Sequence, residues 1–465
     1  MIRRVLLLTL AGVLIWRMAA LGVSAHYAQA LDEGDAGAAD KALVWNPAQP
    51  QALLAKARGR VEDGGDAAAA QAVLARAYAE NPADVRPLMA AAGLAQRQGD
   101  LARADDLVKA SVRLTPSDPR VLEQAARFWA GRGDLDQAMR HWSLALAADP
   151  KARERVFPIL VALAEDTRTI AAFRPIASQP PSWWEPFFAE VAKRALDNDP
   201  VRILFTLRRE SAQAPITEEE RKTYVARLMK DGMIGEAYIE WVNAQSQAQR
   251  AQLGLLHNGG FELPPTNWGF DWHVRSTARA LVDRAKTYGV DGDKALHLLF
   301  DRQERRFADV YQALFLDPGP YRLTGRVRTD SLESKGGIKW TLRCLLPQVA
   351  ELAESERFLG SNEWRDFTVE FQVPDTCTLQ EIRLVSASER PFEQKITGGA
   401  WFDRMSIRNA PSAAPAPTPA PIADPAAGPA PASAPASAPA ATTEEAGPAA
   451  VPAHTPPKPA GKARG

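Results

Sequence analysis

The chain has 465 residues, enough for about two or three domains. Its 56 Lys and Arg balance 56 Asp and Glu, so the formal net charge is zero. That excludes the clustered excess of base a nucleic-acid binder needs. Two cysteines exclude a disulfide-dense scaffold and a four-thiolate zinc site.

The first predicted element is apolar. Arg3 and Arg4 precede a run from Val5 to Ile15, and a second run extends from Met18 to Val23. Basic residues ahead of an apolar stretch hold that end in the cytoplasm, so the rest of the chain is exported. Residues 1–25 therefore read as a membrane anchor or a signal segment. Val23-Ser24-Ala25 has the small-residue character of a cleavage site. An uncleaved anchor instead keeps Arg17 in or near the span, where it costs a few kcal/mol unless its head reaches a boundary. A buried, non-exported helix is a third reading. The anchor reading puts the chain in the cytoplasmic membrane as a single-pass protein, with its bulk in the periplasm.

Next comes a repeat. Pro47, Pro82, Pro116 and Pro150 are 35, 34 and 34 residues apart, and Gly65, Gly99 and Gly133 lie 17 residues before the last three. A period near 34 with a glycine at its midpoint describes stacked helix pairs. Asp66, Asp100 and Asp134 come directly after the glycines and are placed to cap the second helix of each pair. Each clock proline is expected in the first turn of the next helix, which has no use for the missing N–H. Alanines such as Ala67 to Ala70 and Ala104 allow close helix approach. The pattern resembles tetratricopeptide repeats over residues 26–150, with a first unit that is short between Gly34 and Pro47. The resemblance implies a solenoid that binds a protein partner.

Over 151–252 the clock fades and the helical texture continues, as in diverged repeats. Leu196 to Pro200 echoes a repeat ending, and Gly232 to Trp241 reads as one more turn and helix. Thr217 ahead of Glu218, Glu219 and Glu220 marks a helix start. Trp183, Trp184, Phe187 and Phe188 are either a binding patch or the closure of the helical core.

From Leu255 the pattern changes to strands: KALHLLFD, YRLTGRVRTD, GIKWTLRCLL, WRDFTVEFQV, LQEIRLVSA and AWFDRMSI, separated by Gly, Pro and Asp turns. Their lengths suit a β-sandwich of about 150 residues. Asn258-Gly-Gly-Phe-Glu262 opens the segment, and Asn267-Trp268 comes next. Gly292-Asp-Lys-Ala-Leu296 leads a strand, and Leu316 to Leu323 (LDPGPYRL) precedes another. Trp364 begins a long strand, and Trp401 to Ile407 closes the segment. This order resembles the jelly-roll family of carbohydrate-binding modules, which shares its fold with galactose-binding-like domains, over about residues 255–410. The resemblance implies a polysaccharide ligand. It also implies a structural Ca²⁺ between opening loop and closing strand, where Glu262 and Asp403 stand as hard oxygen ligands. Sugars stack on aromatic faces, and Trp268, Phe270, Trp272, His273, Tyr311 and Trp340 are the candidate ligand-binding residues. Trp268, Phe270 and Trp272 alternate, so in an extended segment they share a face, which is either a platform or the sandwich interior. Trp364 and Trp401 read as packing residues. If the segment is exported, a disulfide between Cys344 and Cys377 is expected.

Residues 411–465 are almost all Pro, Ala, Ser and Thr, a composition that cannot bury a core and reads as disordered. No catalytic motif is present, and His141, His257, His273 and His297 lack metal-ligand spacing. The sequence reads as a multidomain non-enzymatic scaffold: an all-α repeat solenoid, an all-β sandwich and a tail. The alternatives are a protein–protein adaptor whose sandwich is structural, and a glycoside-active enzyme with a carboxylate pair in that sandwich.

Overall fold

Asp66, Asp100 and Asp134 accept hydrogen bonds from the backbone N–H groups of Ala68, Arg103 and Gln137, capping helices as the repeat requires. These contacts come from a computed structural model that describes residues 2–31, 35, 37–62, 66–303, 306–388, 390 and 393–411. The reading of the tail concerns residues outside the described ones, apart from Pro411.

Consecutive helices pack as hairpins. α1 (Ile2–Ala30) packs on α2 (Ala38–Trp45), and α3 (Pro50–Glu62) on α4 (Ala67–Glu80). α5 (Arg86–Arg97) pairs with α6 (Leu101–Leu114), then α7 (Pro119–Gly131) with α8 (Leu135–Ala148). Gly99 and Gly133 turn the chain at φ +80° and +79°, the left-handed region that favours glycine. Fully buried alanines, among them Ala70, Ala104, Ala125 and Ala138, mark where the helices touch.

The clock prolines do different work from that expected. Pro47, Pro82 and Pro116 lie in the turns after α2, α4 and α6, ahead of the next helix. Pro50, Pro87 and Pro119 take the helix-starting places. A residue before proline is pushed out of helical geometry. Asn46 and Asp149, at φ −138° and −139°, end their helices this way. Only Pro150 opens an element of its own, a short 3₁₀ turn.

The helical array continues through α9 (Arg153–Glu165), α10 (Arg174–Ser178), α11 (Trp184–Arg194), α12 (Asp199–Arg209), α13 (Glu218–Lys230), α14 (Ile234–Ala244) and α15 (Gln247–Arg250). Trp183, Trp184, Phe187 and Phe188 are all buried and close the core here. α13 starts at a capping box between Thr217 and Glu220. The Glu220 carboxylate also accepts from Arg208 Nε and Trp184 Nε1, each at 2.6 Å, deep inside the array.

The described strands form two five-stranded antiparallel sheets packed as a sandwich. The front sheet runs β1 (Trp272–Val274), β4 (Val310–Leu314), β9 (Leu379–Ser386), β6 (Ile338–Leu346), β7 (Ala350–Glu354). The back sheet runs β2 (Ala280–Ala285), β3 (Ala295–Gln303), β10 (Ile396–Asn409), β5 (Gly319–Glu333), β8 (Gly360–Val373). Phe261, Trp272, Trp340, Phe358 and Phe402 fill the space between them. Cys344 on β6 is disulfide-bonded to Cys377, with Cα atoms 5.8 Å apart.

The helical and sheet regions share one core. Tyr238 and Trp241 on α14 meet Phe270 edge-on, at ring-centroid distances of 5.1 and 5.8 Å. Tyr238 also packs on Phe315, 5.4 Å away, and Ala313 and Leu379 at the end of the front sheet join the same cluster.

Candidate functional site

The six aromatic candidates separate into three groups. Trp268 and Phe270 are buried in the core shared with α14, and Trp272 and Trp340 are fully buried inside the sandwich. None of these four rings is open to a sugar in this structure: of the two readings, platform and interior, they take the interior. The cause is local. Asn267 and Gly269 both take φ +60°, so residues 267–270 turn instead of extending, and the alternation from Trp268 to Trp272 does not put the rings on one face.

His273 and Tyr311 are brought together, on the outer face of the front sheet. Strand register pairs His273 with Tyr311, and Tyr311 with Arg383. The imidazole stacks on the phenol at 4.6 Å with the rings 5° from parallel, and the Arg383 guanidinium is 4.0 Å from the phenol centroid. β1 and β9 flank β4 on opposite sides, so both faces of Tyr311 are covered and its edge points outward. Burial holds His273 below the ordinary histidine value, against the opposing pull of Gly269 O and Asp271.

Next along β9, burial works against the charge of Glu381. Hydrogen bonds from Arg383 and Arg343 outweigh it and keep this carboxyl below its usual range. The ladder lines a groove of about 600 Å³ together with Asn267, Arg275, Arg306 and Asp309. Arg275 Nε donates to Asp309 Oδ1 at 2.9 Å. The groove thus offers three guanidinium groups, one lining carboxylate and aromatic edges.

Asp403 and Glu262, the two expected metal ligands, come together across Gly260. A Cβ at Gly260 would lie 3.8 Å from Asp403 Oδ1 and 3.9 Å from Glu262 Cγ. Asp403 is fully buried on β10. Its Oδ2 accepts from the Asp291 N–H at 2.8 Å, while Oδ1 is buried without a hydrogen-bond partner. Burial pushes the Asp403 carboxyl up, against backbone N–H bonds from Asp291 and Arg404. Glu262 Oε1 accepts from the N–H groups of Asp293 and Lys294 at 3.0 and 3.1 Å. An orphaned buried carboxylate oxygen beside a second carboxylate fits a hard cation. Arg284 Nη1 already holds the carbonyls of Phe261 and Glu262, at 2.9 and 2.8 Å. Among the described residues, no group of three or more His, Cys, Asp or Glu side chains is placed to hold a metal, so other oxygens would complete any shell.

Sequence reasoning missed a second ladder, on the outer face of the back sheet. Trp401 is half-buried there and stacks on His297 at 3.9 Å, and His297 Nδ1 is 3.0 Å from Asp283 Oδ1. On the other side, the Arg328 guanidinium lies 4.8 Å from Trp401, 4.6 Å from Tyr288 and 5.8 Å from Trp364. Trp364 and Trp401 thus pack outside the sandwich. Trp401 and Trp364 stand one and three residues from inward-facing Phe402 and Phe367, odd spacings that put them on the opposite face of their strands.

The solenoid carries its own groove, of about 390 Å³. Leu74, Met89 and Phe128 line it, and Arg58, Arg97 and Arg127 stand around it. No Asp or Glu is among its described lining residues.

The fold defines a class: a helical-repeat solenoid joined to a two-sheet β-sandwich. No protein-family model matches the chain, and no curated protein matches it. Among solved structures, the chain is similar to a CBM4 structure, at 14% identity and a TM-score of 0.26, over 33% of this chain and 99% of that one. It is also similar to TmCBM61, solved in complex with β-1,4-galactotriose, at 18% identity and a TM-score of 0.23, over 34% and 99% of the two chains. A third similarity is to MamA, at 18% identity and a TM-score of 0.23, over 30% and 81%. These likenesses are partial and concern fold alone.

Proposed function

We propose that this chain is a non-enzymatic scaffold of the cell envelope. α1 anchors it in the cytoplasmic membrane with the bulk of the chain outside. The Arg-lined solenoid groove holds a protein partner, and the front-sheet groove holds a surface glycan. The reading rests on one observation: both grooves are built on elements joined through the Trp241–Phe270 core, so two occupants would be held at a fixed separation. Arg275, Arg306 and Arg383 favour a glycan bearing carboxylates, through charge-assisted hydrogen bonds. Assembly or export of a surface polysaccharide is a setting that needs such a scaffold. Asp403 and Glu262 would hold a structural Ca²⁺ that ties the opening loop to β10.

Retention of α1 is favoured by its packing. Ala20, Ser24 and Ala28 form a buried stripe against the α2 hairpin. Cleavage at Val23-Ser24-Ala25 would cut through that stripe.

The test is retention of the full chain on immobilised acidic and neutral polysaccharides, repeated with Tyr311→Ala and Arg275→Ala. Binding to acidic glycans that both substitutions remove supports the reading. A chain that binds no glycan but captures a protein through the solenoid supports a second one, an adaptor whose sandwich caps the helical array. The packing of Trp268 and Phe270 on α14 favours that alternative.

A further inference from the structure

α1 does two jobs along one uninterrupted rod. Leu6, Leu8, Leu10, Leu14, Trp16 and Met18 are each more than half exposed. From Ala20 onward one side is buried, and Ser24 Oγ donates to the Ala42 carbonyl of α2 at 2.9 Å. No proline interrupts the helix, so the apolar segment continues as the first helix of the solenoid without a linker. α2 runs back antiparallel: Ala42 is opposite Ser24, and Trp45 reaches Trp16 at a ring-centroid distance of 5.9 Å. At that end of α2, Val44 is 79% exposed and Trp45 38%. These two residues extend the apolar surface of α1 onto the solenoid.

At 1.5 Å per residue, Trp16 is about 18 Å and Leu21 about 26 Å along the helix from Arg4. A hydrocarbon core is about 30 Å thick. With Arg3 and Arg4 at the inner headgroups, Trp16 and Trp45 therefore stand in the outer leaflet, a few ångström past the midplane.

We propose that the lipid bilayer is the partner of Val44 and Trp45, so that the first helical hairpin is seated in the outer leaflet and the solenoid is clamped to the membrane. This rests on the retained-anchor reading. A clamped solenoid presents its grooves at a fixed height and direction from the lipid surface, which a tethered one does not.

The two natural cysteines are paired, so a third is labelled selectively. The full chain carrying Val44→Cys, Met18→Cys or Gln98→Cys is labelled with an environment-sensitive fluorophore and placed in phosphatidylethanolamine–phosphatidylglycerol vesicles. Nitroxide-bearing lipids and aqueous iodide then serve as quenchers. The expected result is that probes at 44 and 18 lose most of their emission to nitroxide lipid and little to iodide, while the probe at 98 does the reverse. Iodide quenching at 44 with lipid quenching at 18 overturns the seat and leaves the anchor standing. Iodide quenching at both overturns both.

Discussion

Gly269 lies directly against the indole of Trp241, at φ +60°, where any Cβ would collide with the Cδ1 edge of the ring. This contact joins the last long helix to the loop that leads into β1. Both objections to a side chain apply at once, the left-handed backbone and the lack of space.

Gly269→Ala is therefore expected to destabilise the chain by about 1–3 kcal/mol through strain and displaced packing. Trp241→Ala should cost about 3–5 kcal/mol, as large buried aromatics do. The sharper readout is cooperativity. Wild-type helix and sheet signals should melt together, because one core spans both regions. The Trp241→Ala variant should show two transitions, one followed by helical circular dichroism and one by the sandwich tryptophans.

The Arg208–Glu220 pair gives a second prediction. Both side chains are 1% exposed, and Arg208 also donates to the carbonyls of Ala177, Ala214 and Pro215. Desolvation makes such a pair a weak source of net stability, but removing one partner strands a buried charge. Glu220→Leu should cost about 3–5 kcal/mol, and the Arg208→Met/Glu220→Leu double variant clearly less than the Arg208→Met and Glu220→Leu changes added. Denaturant melts of the four proteins would measure this, and strict additivity would refute it.

Calcium and pH should act on Asp403 in opposite directions. Its folded carboxyl titrates above the unfolded value of 3.8. The stability it contributes without metal is therefore fully present below that value and is lost as pH rises through the raised one. At neutral pH the metal-free Asp403→Asn variant should melt at or above the wild-type temperature. Added Ca²⁺ should raise Tm in wild type and not in Asp403→Asn or Glu262→Gln. Equal responses to Ca²⁺ in all three proteins would remove the site.

Much of this was legible from the chain. The Gly99 and Gly133 turns and the Asp100 and Asp134 caps follow from local chemistry alone, as does the Thr217–Glu220 box. The long strands β3, β5, β6, β8, β9 and β10 each carry enough β-branched and aromatic residues to be read. β7 does not: its AELAE consists of helix formers with no β-branched or aromatic residue, and it becomes a strand by pairing with β6. The burial of the tryptophans was hidden for a related reason. Tryptophans are the strongest sequence signal for sugar stacking, yet Trp268 is held by α14 and Trp272 by Phe261 and Trp340, partners remote in sequence. The His273–Tyr311–Arg383 ladder depends on register across three strands, which no local pattern encodes.

That ladder separates two classes of substitution. Tyr311→Ala and Arg275→Ala change the groove and leave the sandwich core untouched. Their expected effect is loss of acidic-glycan binding, at least tenfold in Kd (about 1.4 kcal/mol), with little change in Tm. Trp272→Ala empties a fully buried site and should lower stability by about 3–5 kcal/mol, while the molecules that still fold bind normally. Binding lost in Trp272→Ala at a temperature where it is fully folded would return the interior rings to the ligand.

The disulfide closes the segment from Cys344 to Cys377, a separation of 33 residues that contains β7, β8 and the turns between them. β8 is the outer strand of the back sheet, and β7 is the outer strand of the front sheet. The link thus restrains, in the unfolded chain, the excursion that builds an edge of both layers. On loop-closure entropy it should be worth about 2–4 kcal/mol. Cys344→Ser/Cys377→Ser should show that loss in denaturant melts, and reductant should lower the wild-type midpoint while leaving the double variant unchanged. The helices share a core with the sandwich, so the loss should reach the helical signal too. A helical transition indifferent to the disulfide would mean that the two regions fold separately.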